Sequence, residues 1–303
     1  MADDEFDRIR ALAQRFSQDS AAVLLGIGDD AAVLGAQPQP VVLSVDAAVQ
    51  GVHFEPAFSS YPQIGARAFT AAVSDLAAMG SRPLAALCSL IVPADLPRAD
   101  FDALNAGIAE AAQRYACPVI GGNLASGAAL SITTTVLGTL HGPGPYRSGA
   151  QAGDEVYVTG ALGSAALGLR LLQLAATERG PAFVEAFRAP RARIAQGRAL
   201  GGVATSAIDV SDGALQDLGH ICAASGLGAE LEAASLPLAP GMRELASELG
   251  EDPLRLALHG GEDYELIYTL PAGAADPCGG TRIGRMLDEP GPVRVLDEHG
   301  TPV

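Results

Sequence analysis

Residues 142–160 read GPGPYRSGAQAGDEVYVTG, and this stretch divides the chain. Gly142-Pro143 and Gly144-Pro145 combine the residue freest in φ with the one that lacks an N–H, so no regular element runs through them. EVYVTG then restarts ordered structure as a short strand. The boundary is expected near residue 150, giving an N-terminal domain at 1–150 and a C-terminal domain at 151–303. That division agrees with the usual span of roughly 100 to 200 residues per domain.

Upstream of the break, VVLSV (41–45) reads as a short buried strand. A small-residue helix opens at Tyr61-Pro62 and runs to Gly80, with Pro in its first turn and Gly at its stop. A second helix, about 98–115, places Phe101, Leu104, Ile108, Ala111 and Tyr115 on one face. A strand at 118–120 and a Gly121-Gly122 turn follow, and a strand at about 129–138 closes this half. Downstream, strands at 155–159, 206–210, 227–232 and 265–270 alternate with helices at about 163–176, 191–201 and 213–225. The class is therefore α/β of the α+β type: two α/β domains, each with a mixed sheet, the second flanked by helices.

The chain has 303 residues and carries 35 acidic against 19 basic ones, a formal charge of −16. Such a balance argues against a sequence-independent nucleic-acid binder, which needs a basic surface to displace counterions. Every one of the 19 basic residues is Arg. No Schiff base, P-loop lysine or protein-kinase lysine is available, so any phosphate handled here must be met by Arg, backbone N–H groups and metal ions. Cys88, Cys117, Cys222 and Cys278 lie far apart among small or apolar neighbours and read as inert thiols in a reducing compartment. The segment from Met1 to Arg10 has no apolar leader and no run of about 18 apolar residues occurs, so a cytoplasmic protein without a membrane span is expected.

Carboxylates recur at turns and strand ends: Asp29 and Asp30 in GIGDDAAVL, Asp46 in SVDAAVQGVHF, Asp75 in AAVSDLAAMG, and Asp209 and Asp212 in AIDVSDG. Singly, each is an ordinary cap or turn former. If they converge, they repel one another unless divalent cations lie between them, and oxygen-only ligands favour Mg²⁺ over Zn²⁺ or copper. GGEDYEL adds Glu262 and Asp263 after a double glycine that would admit a ligand or serve a tight turn into a strand. His53 is open to a substrate contact or a structural role. Gly160 and Gly163 in TGALGSAALGL fit an anion-binding loop and close helix packing equally well.

Taken in order, GIGDDAAVL, SVDAAVQGVHF, SDLAAMGSRP, GGN, YRSGAQAGDEVYVTG, IDVSDGALQDLGHI and GGEDYEL resemble the thiamine-monophosphate kinases, within the aminoimidazole ribonucleotide synthetase superfamily. The resemblance covers about residues 4–270. It implies transfer of the γ-phosphoryl of ATP to thiamine monophosphate with several Mg²⁺ ions, in a homodimer joined through the N-terminal halves. It implies Asp30, Ser44, Asp46, Asp75, Asp209 and Asp212 as metal ligands, with Asp46, Asp209 and Asp212 central to catalysis. Gly122, Asn123, Arg147 and Ser211 become ATP contacts, and His53 and Glu262 substrate contacts. The N-terminal domain would bind metal and ATP and dimerise, while the C-terminal domain would complete the site. Three departures stand out: Ser44-Val45-Asp46 for the usual STD, Gly121-Gly122-Asn123-Leu124-Ala125 for GGDTT, and a chain that stops at Val303 before the usual aromatic segment. They leave two alternatives, a superfamily enzyme with another acceptor and a non-catalytic nucleotide-binding paralogue.

Overall fold

A computed structural model describes residues 11–16, 20–27 and 31–303. The chain divides into two compact units, one running up to Leu76 and including Arg82–Leu140, the other formed by Ala77–Ser81 and His141–Val303. Asp29 and Asp30 lie outside the described residues.

In the first unit β1 (Val23–Leu25) and β2 (Val33–Leu34) pair antiparallel. Then come β3 (Val41–Val49), helix α1 (Tyr61–Ala78), β4 (Arg82–Val92), helix α2 (Arg98–Arg114), β5 (Val119–Ser126) and β6 (Ser131–Thr139). The sheet order is β3-β6-β4-β5, antiparallel except for the β4/β5 pair, and hence mixed. Alternation along the strands separates its two faces. Ile132, Val136 and Leu90 are buried on one, whereas Leu43, Val45, Leu87 and Ile91 stand exposed on the other.

β4 and the full length of β5 depart from the sequence reading. Pro83 argues against a central strand, yet it falls at a register shift between Pro83 and Ala85, where a missing N–H does not interrupt the ladder. Gly121 and Gly122 form no turn. They continue β5, because a Cβ on Gly122 would run into the Cys88 backbone and one on Gly121 would meet a Leu87 methyl at 2.9 Å. The glycines thus let two parallel strands close up.

The two helices of this unit cross unusually closely. A Cβ on Gly107 of α2 would strike the Pro62 carbonyl of α1, and one on Gly65 of α1 would strike the Leu104 carbonyl of α2. Small residues on both sides bring the backbones together, and Ile64, Phe69, Leu104 and Ile108 fill the flanks with almost no exposure.

The second unit contains β7 (Glu155–Val158), α3 (Ser164–Gln173), α4 (Pro181–Arg188), α5 (Ile194–Leu200), β8 (Ser206–Asp209), α6 (Ala214–Ser225), β9 (Gly228–Glu232), α7 (Met242–Glu248), α8 (Pro253–His259), β10 (Leu266–Leu270), β11 (Thr281–Leu287) and β12 (Val293–Leu296). Its sheet has the order β12-β9-β11-β7-β10-β8, with β12/β9 parallel and the other pairs antiparallel. Val156, Val158, Ile208, Ile267, Ile283 and Met286 form a core with Leu218, Ile221 and Cys222 of α6 and Ala257 and Leu258 of α8. On the opposite face Tyr157 stacks on Tyr268 with ring centroids 5.6 Å apart. β10 is buried along both faces, which is why LIYTL shows no alternation of apolar and charged residues, and the Thr269 hydroxyl within it is paired with those of Thr205 and Ser206.

No helix among the described residues is long and apolar enough to cross a membrane. Cys88, Cys117 and Cys222 are buried and all four cysteines are free. Burial pushes the Cys88 and Cys117 thiols up to about 12, so neither is a thiolate near neutral pH.

The helix crossing yields a direct test. Gly107→Ala inserts a methyl where backbone already sits, and overpacking of this kind costs roughly 1 to 3 kcal/mol. Urea unfolding is expected to give a lower midpoint with an unchanged slope; an unaltered midpoint would mean that the helices do not approach as described.

Candidate functional site

Within the first unit two of the expected residues are in contact and a third shares their sheet face. Ser44 and Asp46 are two apart on β3, so both point to the face opposite Leu43 and Val45, and the Ser44 hydroxyl donates to the Asp75 carboxylate from α1. Asp46 accepts the N–H of Ala47 through Oδ1 at 2.7 Å. His53 follows in the turn after β3 and accepts the Val49 N–H on Nδ1 at 3.1 Å.

Gly122 and Asn123 are elsewhere in this unit. They lie on β5, the edge of the sheet opposite β3, about three strand spacings or roughly 14 Å away. Asn123 is in register with Ser89, which pairs with Thr133, and this places it on the face with Leu87 and Ile91 rather than on that of Asp46. Gly122 does share the row of Cys88, Thr134 and Asp46.

In the second unit, Asp209 ends β8 at 4% exposure, and Ser211 and Asp212 occupy the turn into α6. That turn is built around a residue not anticipated from sequence. Oδ2 of Asp217 accepts the N–H groups of Ser211, Asp212 and Gly213 at 3.0, 3.1 and 3.1 Å. Burial pushes the Asp217 carboxyl up to about 6 against the pull of these bonds, and the Asp212 charge adds to the rise. The available signal was an acid in the first turn of a helix, where the N-terminal N–H groups are unpaired.

The GGEDYEL segment docks on the same turn through its backbone. Glu262 N donates to Ser211 O at 2.9 Å, Tyr264 N to Val210 O at 2.9 Å, and Val210 N to Glu265 O at 2.8 Å. Glu262 and Tyr264 hold positive φ of 67° and 52°, a strained state for residues with side chains, which the flanking ladder imposes. The double glycine makes its close approach to protein: a Cβ on Gly261 would strike Ser211 O, and one on Gly260 would strike Leu256 O.

The glycines of TGALG also serve an internal anion. Gly163, at φ 77°, donates its N–H to Asp263 Oδ2 at 2.5 Å, and Ala165 N donates to Oδ1 at 3.0 Å. Asp263 therefore caps α3, and Glu262 beside it is half-buried. Glu265, 5% exposed, is paired with Arg193, whose Nε donates at 2.7 Å, and accepts the Thr159 hydroxyl at 2.6 Å. Arg147 is exposed in a short 3₁₀ turn that Pro145 ties to β8, its carbonyl accepting the Ala207 N–H at 3.0 Å.

Among the described residues no group of three or more His, Cys, Asp or Glu is arranged to hold a metal ion. The expected ligands that are described, Ser44, Asp46 and Asp75 in one unit and Asp209 and Asp212 in the other, offer oxygen atoms only. Oxygen-only donors suit Mg²⁺, which keeps water and phosphate oxygens around it, and do not suit a closed Zn²⁺ site.

Residues 28–140 match the family described as AIR synthase related protein, N-terminal domain. The thiamine-monophosphate kinase of Escherichia coli (strain K12) is 38% identical over 277 residues, covering 89% of this chain and 84% of that protein. The crystal structure of thiamine-monophosphate kinase from Stenotrophomonas maltophilia K279a superposes with a TM-score of 0.85 at 35% identity, over 98% of this chain and 96% of the other. The structure of AaThiL complexed with AMPPCP and TMP gives a TM-score of 0.82 at 32% identity, over 99% of this chain and 94% of that one.

The capping role of Asp263 has a pH signature. Burial raises its carboxyl to about 7 from 3.8, with Glu265 adding to the rise, so the folded chain holds that proton more tightly than the unfolded chain does. Its contribution to stability is complete below about 3.8 and is lost as the pH climbs through about 7. Asp263→Asn is expected to flatten the fall in unfolding free energy between pH 5 and pH 8, measured in urea; equal slopes for the two proteins would refute the assignment.

Proposed function

Because the chain belongs to the thiamine-monophosphate kinase family, we propose that it transfers the γ-phosphoryl group of ATP to thiamine monophosphate, giving thiamine diphosphate and ADP. The observation that carries this reading is the likeness, along nearly the whole chain, to a structure complexed with AMPPCP and TMP.

The site chemistry supports it. The acceptor is a phosphate oxygen, ionised near neutral pH, so the reaction needs no strong base and no covalent enzyme intermediate. What remains is to hold two anions in line, in a chain with no lysine to offset their charge. Mg²⁺, when bound, would screen the repulsion between them and the charge on the equatorial oxygens. Several such ions are expected, and the residues read as metal ligands are Asp30, Ser44, Asp46 and Asp75 of the first unit and Asp209 and Asp212 of the second. The oxygen-only donor set and the Ser44–Asp75 hydrogen bond support that role. Ser211, Gly122, Asn123 and Arg147 are read as ATP contacts, and His53 and Glu262 as substrate contacts. In this reading Asp217 keeps the Ser211–Gly213 turn in one shape, so Ser211 and Asp212 meet the nucleotide without first being ordered.

A homodimer formed through the first unit belongs to the same reading. Leu43 and Val45 are 65% and 62% exposed, and Leu87 and Ile91 share their sheet face, an apolar surface of the kind that a second copy covers. A cytoplasmic location is supported by four free cysteines and by the dependence on ATP.

Two experiments test these proposals. Thiamine diphosphate formation should require thiamine monophosphate, ATP and Mg²⁺, stop with EDTA, and fall by about two orders of magnitude or more in Asp46→Asn and Asp209→Asn, the range for losing an electrostatic catalytic group. Near-normal turnover in either folded variant would count against the metal role. Separately, sedimentation velocity should show a dimer for the parent chain and a monomer for Leu43→Asp; dimers in both would move the interface off this sheet.

A further inference from the structure

His53 is fixed more firmly than an exposed histidine in a turn requires. Among the described residues β3 is an edge strand, so the outward N–H groups along it find no strand partner there. The N–H of Val49, its last residue, is taken instead by the His53 ring, donating to Nδ1 at 3.1 Å. The turn between them is closed by His53 N and Val52 N donating to Val49 O at 2.9 and 3.1 Å, and by Gly51 N donating to Phe54 O at 3.0 Å, with Gly51 at φ 83°. Phe54, almost fully buried, anchors the far side. From α1, Arg67, a 5% exposed guanidinium, donates Nη1 to the His53 carbonyl at 3.1 Å. Amide, carbonyl and ring nitrogen of one residue are therefore all held.

The position of the ring proton follows. A backbone N–H is fixed by the chain, so the nitrogen that accepts it cannot carry a proton of its own. In the neutral ring the proton sits on Nε2, the side of the imidazole turned away from Val49. We infer that His53 meets the phosphorylated acceptor substrate as a neutral Nε2–H hydrogen-bond donor, its tautomer set by Val49 and its placement by Arg67, a positioning residue. The inference rests on the proposed function for the identity of the substrate, thiamine monophosphate. The tautomer is a property of the chain alone.

Glutamine places an amide N–H where Nε2–H lies, and asparagine places one nearer Nδ1, so the two replacements separate the roles of the nitrogens. His53→Gln should raise KM for thiamine monophosphate less than His53→Asn does, the Asn value lying ~tenfold above the Gln value, which is the effect of one lost hydrogen bond. Arg67→Gln should raise that KM ~tenfold with a smaller change in kcat, because it misplaces a binding group and leaves the phosphoryl transfer itself alone. Should Arg67→Gln fail to fold, the ring is read directly in the parent protein. Long-range ¹H–¹⁵N spectra of the ligand-free chain, with the His53 signal identified by its loss in His53→Gln, are expected to show the Nε2–H pattern. Adding thiamine monophosphate should move the Nε2 resonance more than the Nδ1 resonance. An Nδ1–H pattern, or equal KM values for the Gln and Asn variants, overturns the inference. A resonance that stays still while the enzyme turns over overturns it and leaves the proposed function standing; no turnover and no shift overturns both.

Discussion

The loops of the second unit depend on carboxylates that accept main-chain N–H groups. The turn into α6 and the start of α3 leave N–H donors without partners, and an unpaired donor beneath the surface costs about 1 to 3 kcal/mol. Asp217 satisfies three of these groups and Asp263 two. Charge-assisted N–H bonds offset much of the desolvation of each carboxylate, while burial still raises both acids well above the ordinary range. Glu265 completes the arrangement by drawing Arg193 and Thr159 onto one buried group.

The consequence is a division of labour among acidic residues. Those that satisfy backbone are spent on rigidity, while Asp212 is exposed on a turn whose path is already set. The positive φ of Glu262 and Tyr264 is tolerated because the ladder to Val210 and Ser211 holds both sides of the strained segment. In the first unit the same end is reached through packing. Gly65 and Gly107 bring α1 and α2 into backbone contact, α1 carries Asp75 to Ser44, and it carries Arg67 to the turn that holds His53.

Much of the fold was legible in single motifs. Tyr61-Pro62 and Gly80 bracketed α1, the Phe101, Leu104, Ile108 spacing located α2, and the alternation of strands and helices after Gly142-Pro143 pointed to the second mixed sheet. β4 was hidden by Pro83, whose fault a register shift absorbs. The run through Gly121 and Gly122 looked like a turn because glycine serves turns and close strand pairs alike, and a linear string does not distinguish them. The small helices α4, α7 and α8 and the strands β11 and β12 are too short to show a period of their own.

The sequence by itself determined the chemistry available: an arginine-only, strongly acidic chain whose aspartates recur in motifs at strand ends. It also determined the family, because those motifs occur together and in order. Only the tertiary structure decided which carboxylates face inward. Asp212 and Asp217 lie on one turn and the helix that follows it, yet Asp212 is exposed and Asp217 is buried and accepts backbone N–H groups, as Asp263 does at the start of α3. That choice depends on where unpaired N–H groups end up in space, and their positions arise from the packing of helices and strands distant in the chain.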